Sequence, residues 1–297
     1  MRFGITILPE HRWADAEPLW RRGEELGFDH AWTYDHLTWG GLPDSPWYGT
    51  VSTLTAAAMV TRRIRLGTFV TSPNFRHPVT FMRDLLSLED ISGGRILCGI
   101  GTGGDIDSRI LGGEPLTPRQ RVDRLEEFTG LLDRLLTGDH VTAHGAYFSA
   151  VDARTLPGPV QQPRTPFIMA ANGPRSLRLA ARYGAGWVTT GPKVDTLEEW
   201  WTALKDLSAR LDDALAARGR EGAAFERHLN LDSSPVFSLA GADVFEEMTG
   251  RADELGFTDV ITHWPRPQEP YAGAVGTLEQ VAAEVLPRWR RPVAALR

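Results

Sequence analysis

Residues 167–191 have the sequence FIMAANGPRSLRLAARYGAGWVTTG, in which two short apolar segments flank a helical segment. This order is typical of a strand–helix–strand unit. Gly173 precedes Pro174 at the predicted start of the helix, so the first free N–H groups of the helix point out of the turn. Such a helix start binds anions, and the side chains of Arg175 and Ser176 favour a phosphate. The alternative is an ordinary crossover that binds nothing.

The alternation of strand and helix continues on both sides of this unit. Strands are predicted at residues 2–7, 28–34, 64–71, 96–101, 167–171, 186–190, 229–237 and 259–262, and a helix follows each of them. Eight such pairs predict one α/β domain over residues 1–297, a single (β/α)8 TIM-like barrel. Residues 139–166 break the alternation with a hairpin-like and Pro-rich segment, which we interpret as a mid-chain insertion. A doubly wound open sheet is the rival fold, although no G-x-G-x-x-G turn follows the first strand.

The composition excludes several classes of function. The formal net charge of −6 gives no general attraction to nucleic acid or to an anionic membrane, and no segment approaches the length of a membrane span. Cys98 is the single cysteine, so an internal disulfide is impossible. The chain begins directly with a predicted strand and shows no leader, so we expect a cytoplasmic protein. We expect no metal ion, because neither paired cysteines nor an H-E-x-x-H motif is present.

In a barrel of this type the chemistry is located at the carboxyl ends of the strands. Asp35 and His36 follow the second strand, and a histidine beside a carboxylate can exchange a proton near neutral pH. The alternative is that His36 only caps the strand. We assign the substrate pocket to aromatic and polar residues that follow strands two and eight: Trp39, Trp47, Tyr48, His263 and Trp264.

Several longer motifs make the chain similar to a known family. They are RFGITI (2–7), ELGFDHAW (25–32), TYDHL (33–37), RIRLGTFVTSPNFRHP (63–78), GGRILCGIGTG (93–103), RVDRLEEFTGLLDRLL (121–136), GAYF (145–148) and the segment from residue 169 to 191. Together these motifs resemble the bacterial luciferase-like family of flavin- or deazaflavin-dependent oxidoreductases. The resemblance extends over nearly the whole chain.

The resemblance implies where the cofactor binds. The ring would lie at the strand ends, an unusual cis peptide near Thr71 and Ser72 would form a bulge behind it, and the cofactor phosphate would lie at the helix start proposed above. The residues assigned to the cofactor on this basis are Thr71, Ser72, Gly101, Thr102, Gly103, Asp107, Asn172, Gly173, Pro174, Arg175 and Ser176.

The YDHL segment resembles the branch of the family that uses the deazaflavin coenzyme F420. By that match Asp35 and His36 lie beside the reacting face of the ring, and His36 is the catalytic acid or base. The sugar phosphate dehydrogenases of this branch have a glutamate after strand four that helps proton transfer. Gly104 occupies its place here, which argues against a phosphorylated sugar as substrate.

We therefore predict an oxidoreductase that moves a hydride between F420 and a small, apolar organic molecule. One alternative is an FMN-dependent monooxygenase that uses reduced flavin and O2, and another is a flavin-binding relative without catalysis. The resemblance implies a homodimer, and it allows a separate flavin or F420 reductase as a partner.

Overall fold

The computed structural model describes residues 1–290. Its strands are β1 (Arg2–Thr6), β2 (His30–Thr33), β3 (Arg65–Thr68), β4 (Ile96–Ile100), β5 (Val141–His144), β6 (Ser149–Ala153), β7 (Phe167–Ala170), β8 (Gly186–Thr189), β9 (Glu226–Asn230) and β10 (Asp259–His263). Its α-helices are α1 (Trp13–Glu25), α2 (Thr50–Val60), α3 (Pro78–Ser92), α4 (Ile106–Ile110), α5 (Pro118–Thr137), α6 (Pro174–Tyr183), α7 (Leu197–Ala216), α8 (Ala242–Glu254), α9 (Val275–Gln280) and α10 (Leu286–Trp289). The last seven residues of the predicted domain, 291–297, lie outside this description.

Eight parallel strands close into a barrel in the order β1-β10-β9-β8-β7-β4-β3-β2. Gly4 on β1 is in register with His30 on β2 and with Ile261 on β10, which closes the ring between the first and the last strand. Helices cover the outside of the barrel, because parallel strands require crossover connections that return over one face. The predicted barrel fold is confirmed.

Two apolar layers result from the alternation of side chains along each strand. The barrel interior contains a small cluster made of Leu8, Trp32, Tyr34, Phe69, Leu97, Ile168, Val188 and Ile261. A larger cluster fills the space between the strands and the outer helices. The interior is therefore a packed core, and ligands have access only at the barrel ends.

The outer helices begin with capping interactions that the sequence specifies locally. Thr117 caps α5 in a reciprocal box with Gln120, and Thr196 caps α7 in the same way with Glu199. Pro78 starts α3 after His77, whose Nδ1 accepts the N–H of Val79 at 3.2 Å. These caps fix where each loop ends, and hence how much chain crosses the barrel mouth.

The segment between α5 and β7 forms an antiparallel hairpin, β5 with β6, outside the barrel sheet. It contains two cis X-Pro bonds farther along, Leu156–Pro157 and Gln162–Pro163. No helix within residues 1–290 combines the length and the hydropathy that crossing a membrane requires.

The local structure differs from the sequence predictions at one strand boundary and at one additional helix. The seventh barrel strand is Glu226–Asn230, not 229–237, because a 3-10 turn at Leu231–Ser233 ends it. The short helix α4 was not predicted after β4. The non-proline cis peptide expected near Thr71 and Ser72 is present just after β3, where it joins Phe69 to Val70. Regular pairing of β3 stops after Thr68 and resumes at an isolated bridge from Thr71 to Ile100, which places the irregular segment between them.

Candidate active site

His36 projects from the loop after β2 into the carboxyl end of the barrel. Its Nδ1 donates a hydrogen bond to Oδ2 of Asp107 at 2.8 Å, and the N–H of Leu37 donates to Oδ1 of the same carboxylate at 2.8 Å. Asp107 is fully buried in α4, whereas the His36 side chain is 19% exposed. Within the described residues Nε2 of His36 has no hydrogen-bond partner, so this nitrogen is the end of the pair that a ligand can reach.

Asp35 precedes His36 in the sequence, and its side chain is buried. Both of its carboxylate oxygens accept hydrogen bonds from the protein. Arg76 donates from Nη2 to Oδ1 at 2.6 Å and from Nε to Oδ2 at 3.2 Å, and Thr71 Oγ1 donates to Oδ2 at 2.7 Å. Both oxygens of this buried carboxylate are thus engaged by donors of the protein itself. The structure thus places Asp35 as an anchor that fixes the backbone from which His36 projects.

A second polar chain lies beside the first. Tyr34 Oη is 2.8 Å from Nε2 of His263 and 3.1 Å from Oη of Tyr271, and Nδ1 of His263 is 2.8 Å from Oδ2 of Asp232. The side chains of His263 and Asp232 are fully buried. Burial raises the pKa of Tyr34 well above its ordinary range and that of Tyr271 to about 12, so both hydroxyls keep their protons at neutral pH.

Aromatic rings surround these polar groups. Trp39 lies edge-on to Tyr34 at 5.1 Å between ring centroids, and it is nearly parallel to Tyr271 at 6.2 Å. Trp47 packs against both Tyr34 and Trp39, and its Nε1 donates to the carbonyl of His36 at 3.0 Å. The structure therefore brings together Trp39, Trp47 and His263 from the predicted substrate pocket.

Two other residues assigned to that pocket lie elsewhere. Tyr48 is 42% exposed, and its N–H donates to the carbonyl of Pro9 at 2.7 Å. Trp264 packs against the outer core, because it follows the inward-facing His263 and so faces the helices.

The residues predicted to hold the cofactor ring surround the ends of β3 and β4. Ser72 is fully buried, and its Oγ has no partner among residues 1–290. Gly103 has a φ of +63° and lies so close to Ser72 and Asn74 that a Cβ atom would overlap both. Gly101 is also confined, though less tightly, by Val70 and Ala170. Thr102 lies between these two glycines at the end of β4.

The predicted phosphate site lies in a cleft of about 560 Å³ between the starts of α5 and α6. The cleft is lined by Pro118, Arg119, Val122, Asp123, Gly173, Pro174, Arg175 and Ser176. Ser176 Oγ accepts the N–H of Gly173 at 3.2 Å, which leaves the N–H groups of the first helical turn directed into the cleft. Asn172 lies behind it, where its Nδ2 donates to the carbonyl of Gly191 at 3.1 Å.

Arg175 differs from the prediction in one respect. Its guanidinium is held on α5, with Nη2 2.7 Å from Asp123 and 3.4 Å from Glu126, and these carboxylates raise its pKa. The backbone of Arg175 lies at the helix start as predicted, but its charge is directed to α5.

The opposite end of the barrel contains a group of charged residues that the sequence did not indicate. We call it the amino-end cluster, and its members are Arg2, His30, Arg65, Glu226, His228 and Asp259. His30 Nε2 is 3.0 Å from Asp259, and Trp32 Nε1 donates to Nδ1 of His30 at 2.6 Å. Because Nδ1 accepts this hydrogen bond, Nε2 of the neutral ring carries the proton. Nε2 therefore has no lone pair with which to bind a metal ion. We interpret the cluster as structural.

Comparison with known proteins identifies the family. Residues 1–234 match the model of the luciferase-like monooxygenase family. The chain belongs to this family. It is 34% identical over 204 residues to the F420-dependent glucose-6-phosphate dehydrogenase of Microbacterium testaceum, which covers 66% of this chain but only 57% of that relative. It is 30% identical over 287 residues to the 4-hydroxyprotoasukamycin monooxygenase of Streptomyces nodosus subsp. asukaensis, covering 93% of this chain and 71% of the relative.

A solved structure has the same fold. An F420-dependent secondary alcohol dehydrogenase, crystallised with an F420–acetone adduct, superposes with a TM-score of 0.83 at 18% identity. The superposition covers 98% of this chain and 99% of that one. The predictions of family, barrel fold and oxidoreductase class are therefore confirmed.

The sequence did not single out three polar residues near His36 and His263. Arg76 holds Asp35, Asp232 holds His263, and Tyr271 ends the second polar chain. Asp232 follows a barrel strand and could have been selected by position alone. Tyr271 had no such signal, because it lies eight residues beyond the end of its strand.

Proposed function

We propose that the protein is an F420-dependent oxidoreductase that moves a hydride between the deazaflavin ring and a small organic substrate. The observation that carries this proposal is the His36–Asp107 pair at the carboxyl end of the barrel, with one histidine nitrogen free for a ligand. Two observations support F420 as the cofactor. The relative from Microbacterium testaceum is F420-dependent, and Asp35 and His36 match the F420 branch of the family.

The residues present fit a flat ring at this place. Ser72 Oγ is a fully buried hydroxyl without a partner among the described residues, and a buried hydroxyl left unpaired is costly unless a ligand completes its hydrogen bonding. Ser72, Thr102 and the confined glycines Gly101 and Gly103 would hold the ring. Gly173, Pro174 and the N–H groups of Arg175 and Ser176 would hold the phosphate of its tail.

The chemistry of the cofactor is hydride exchange at C5 of the deazaflavin, and the protein supplies position and proton transfer. Asp107 accepts from Nδ1 of His36, which keeps the lone pair of a neutral imidazole on Nε2. Nε2 then removes the proton of a substrate hydroxyl during oxidation, or returns it during reduction. Trp39 and Trp47 pack against each other and against Tyr34, and they provide an apolar surface for the substrate.

The test is a titration of the purified protein with F420 and with FMN, each oxidised and reduced, followed by fluorescence. We expect saturable binding of F420 and weak binding of FMN. Ser72→Ala is expected to weaken F420 binding, whereas Ser87→Ala, at an exposed position of α3, is the matched control. Tight binding of FMN without binding of F420 would overturn the proposal.

The second candidate is an FMN-dependent monooxygenase. The monooxygenase from Streptomyces nodosus matches 93% of this chain, and Gly104 replaces the glutamate that the resemblance gives to the sugar phosphate dehydrogenases. Uptake of oxygen by the protein with reduced FMN and no F420 would favour this function. A separate flavin reductase would then be required as a partner.

We further propose that the protein is a cytoplasmic homodimer. The support is the family resemblance together with two exposed apolar side chains on neighbouring helices, Met59 on α2 and Ile91 on α3. Light scattering of the purified protein measures this directly. We expect a mass near twice that of the chain, and a monomer at all concentrations would refute the dimer.

A further inference from the structure

The peptide unit between His36 and Leu37 is held at both of its polar ends. Trp47 Nε1 donates to the carbonyl of His36 at 3.0 Å, and the N–H of Leu37 donates to Oδ1 of Asp107 at 2.8 Å. The carbonyl and the N–H belong to one rigid plane, so two bonds on opposite edges fix its orientation. The orientation of this plane sets the backbone angle of His36, and with it the direction of the side chain.

The bond from Trp47 is independent of the two bonds from Asp107. Asp107 lies on the short helix α4 and binds both Nδ1 of His36 and the N–H of Leu37, so both bonds shift together if the helix moves. Trp47 belongs to another part of the chain, the loop after β2. It therefore supplies the third point that fixes His36 relative to the barrel.

The backbone next to Trp47 is itself anchored to the barrel. The N–H of Tyr48 donates to the carbonyl of Pro9, in the loop after β1, at 2.7 Å. At the start of α2, Thr50 Oγ1 donates to the carbonyl of Tyr34, just after β2, at 2.7 Å. Trp47 thus projects from a fixed segment of the loop.

The indole of Trp47 has two roles that a smaller ring cannot combine. Its rings pack against Tyr34 at 6.4 Å and against Trp39 at 6.3 Å between centroids, which places them in the aromatic group beside His36. Its N–H is a donor only, and it is directed to the His36 carbonyl. A phenylalanine here would keep an aromatic contact but could not donate this hydrogen bond.

Trp39 provides a comparison within the same loop. Among the described residues its indole makes ring contacts only, with Tyr34, Trp47 and Tyr271. The two tryptophans are therefore alike in their aromatic packing, and they differ in the hydrogen bond to the backbone of His36.

We propose that Trp47 is a positioning residue for His36. Its indole N–H fixes the peptide unit from which the imidazole projects, and this keeps Nδ1 of His36 on Asp107 and the lone pair of Nε2 directed to the ligand. Trp47 takes no proton and acts only through His36. The inference rests on the proposed function for the role of His36 in the reaction.

The experiment measures the tautomer of His36 by NMR. The protein is labelled with nitrogen-15 in its histidine rings and studied at an alkaline pH, where imidazoles are neutral. The signals of His36 are identified by their loss in His36→Gln, and their shifts tell which ring nitrogen carries the proton. No F420 is added, so a protein that fails to bind F420 overturns the proposed function while the spectra still decide the role of Trp47.

We expect the wild-type protein to show His36 in one tautomer, with the proton on Nδ1. In Trp47→Phe the ratio of the two tautomers should shift about fivefold toward the form with the proton on Nε2, the factor that one neutral hydrogen bond contributes. Trp39→Phe removes an indole from the same aromatic group but no bond to His36, and it should keep the wild-type tautomer.

Three results would overturn the inference. They are mixed tautomers of His36 in the wild type, an unchanged tautomer in Trp47→Phe, and an equal shift in Trp39→Phe, which would assign the effect to aromatic packing alone. If Trp47→Phe does not fold, benzothienylalanine at position 47 keeps the two fused rings and removes only the N–H. The same shift of the His36 tautomer is expected there, and its absence would equally overturn the role of Trp47.

Discussion

Histidine–carboxylate pairs lie at both ends of this barrel, and they differ in what remains free. In the amino-end cluster the rings of His30 and His228 are fully buried, and both nitrogens of His30 have partners within the protein. At the carboxyl end His36 has one nitrogen on Asp107 and the other open to a ligand. The same two residue types therefore stabilise the fold at one end and are available for chemistry at the other.

The pKa shifts in the amino-end cluster reflect the pairing of its charges with one another. Burial acts to raise the pKa of Asp259, but His228, His30 and Arg2 together hold it well below its ordinary value. Burial lowers the pKa of His30, although Asp259 opposes that shift. Buried charges that pair with one another in this way contribute to folding.

The largest effect is expected from His36→Ala. Turnover should fall roughly 10²- to 10⁴-fold, the usual contribution of a positioned acid or base, while F420 still binds and stability changes little. Steady-state rates and F420 titration measure both. His140→Ala, which removes an exposed histidine far from the barrel mouth, is the control. Unchanged turnover in His36→Ala would remove this residue from the reaction.

Asp259→Ala tests the other end of the barrel. Removing this carboxylate leaves His30 and Arg2 without their buried partner, which should cost roughly 3–5 kcal/mol of the free energy of unfolding. Urea denaturation measures the loss. Turnover per folded molecule should stay near wild type, and a fall in that rate comparable to that of His36→Ala would show that the two ends are not separate.

Asp107→Asn should have an intermediate effect. An amide in place of the carboxylate no longer fixes the tautomer of His36, and the resulting misorientation should slow turnover by roughly 10- to 100-fold. The KM and the affinity for F420 should change less than kcat. Equal loss in F420 affinity and in kcat would instead indicate that Asp107 holds the cofactor.

The pH dependence of stability should come from the amino-end cluster. Because the pKa of His30 is lowered in the fold, the unfolded chain binds more protons below about pH 6.5, and stability should fall as pH decreases from there. Burial acts to raise the pKa of Glu226, but His228 and Arg65 lower it to about 2, so a further loss follows below about pH 4.5. Thermal unfolding between pH 8 and 4 measures this. Stability that rises toward acid would contradict it.

The smallest effect is expected from Arg175→Gln. Its guanidinium is paired with Asp123 and Glu126 at the surface, so the substitution should cost less than about 1 kcal/mol of stability. The affinity for F420 should fall no more than about threefold, because backbone N–H groups hold the phosphate. A tenfold loss of affinity would show that the guanidinium turns from α5 to the ligand.

Local sequence determined the elements of the barrel and its turn chemistry. The alternation of apolar strands with amphipathic helices, the turn at residues 172–176 and the adjacent Asp35 and His36 are all readable along the chain. These features depend on neighbours within a few residues, which is why the fold, the family and the candidate base could be predicted.

Tertiary structure decided which partners the functional groups have. His36 pairs with Asp107, 71 residues away, although Asp35 is its neighbour in sequence; Asp35 instead binds Arg76. Tyr34 meets Tyr271 across 237 residues, and no local pattern encodes that distance. Closure of the barrel brings the ends of all strands to one rim, so the pairing of charges there depends on the register and loop paths of the whole chain.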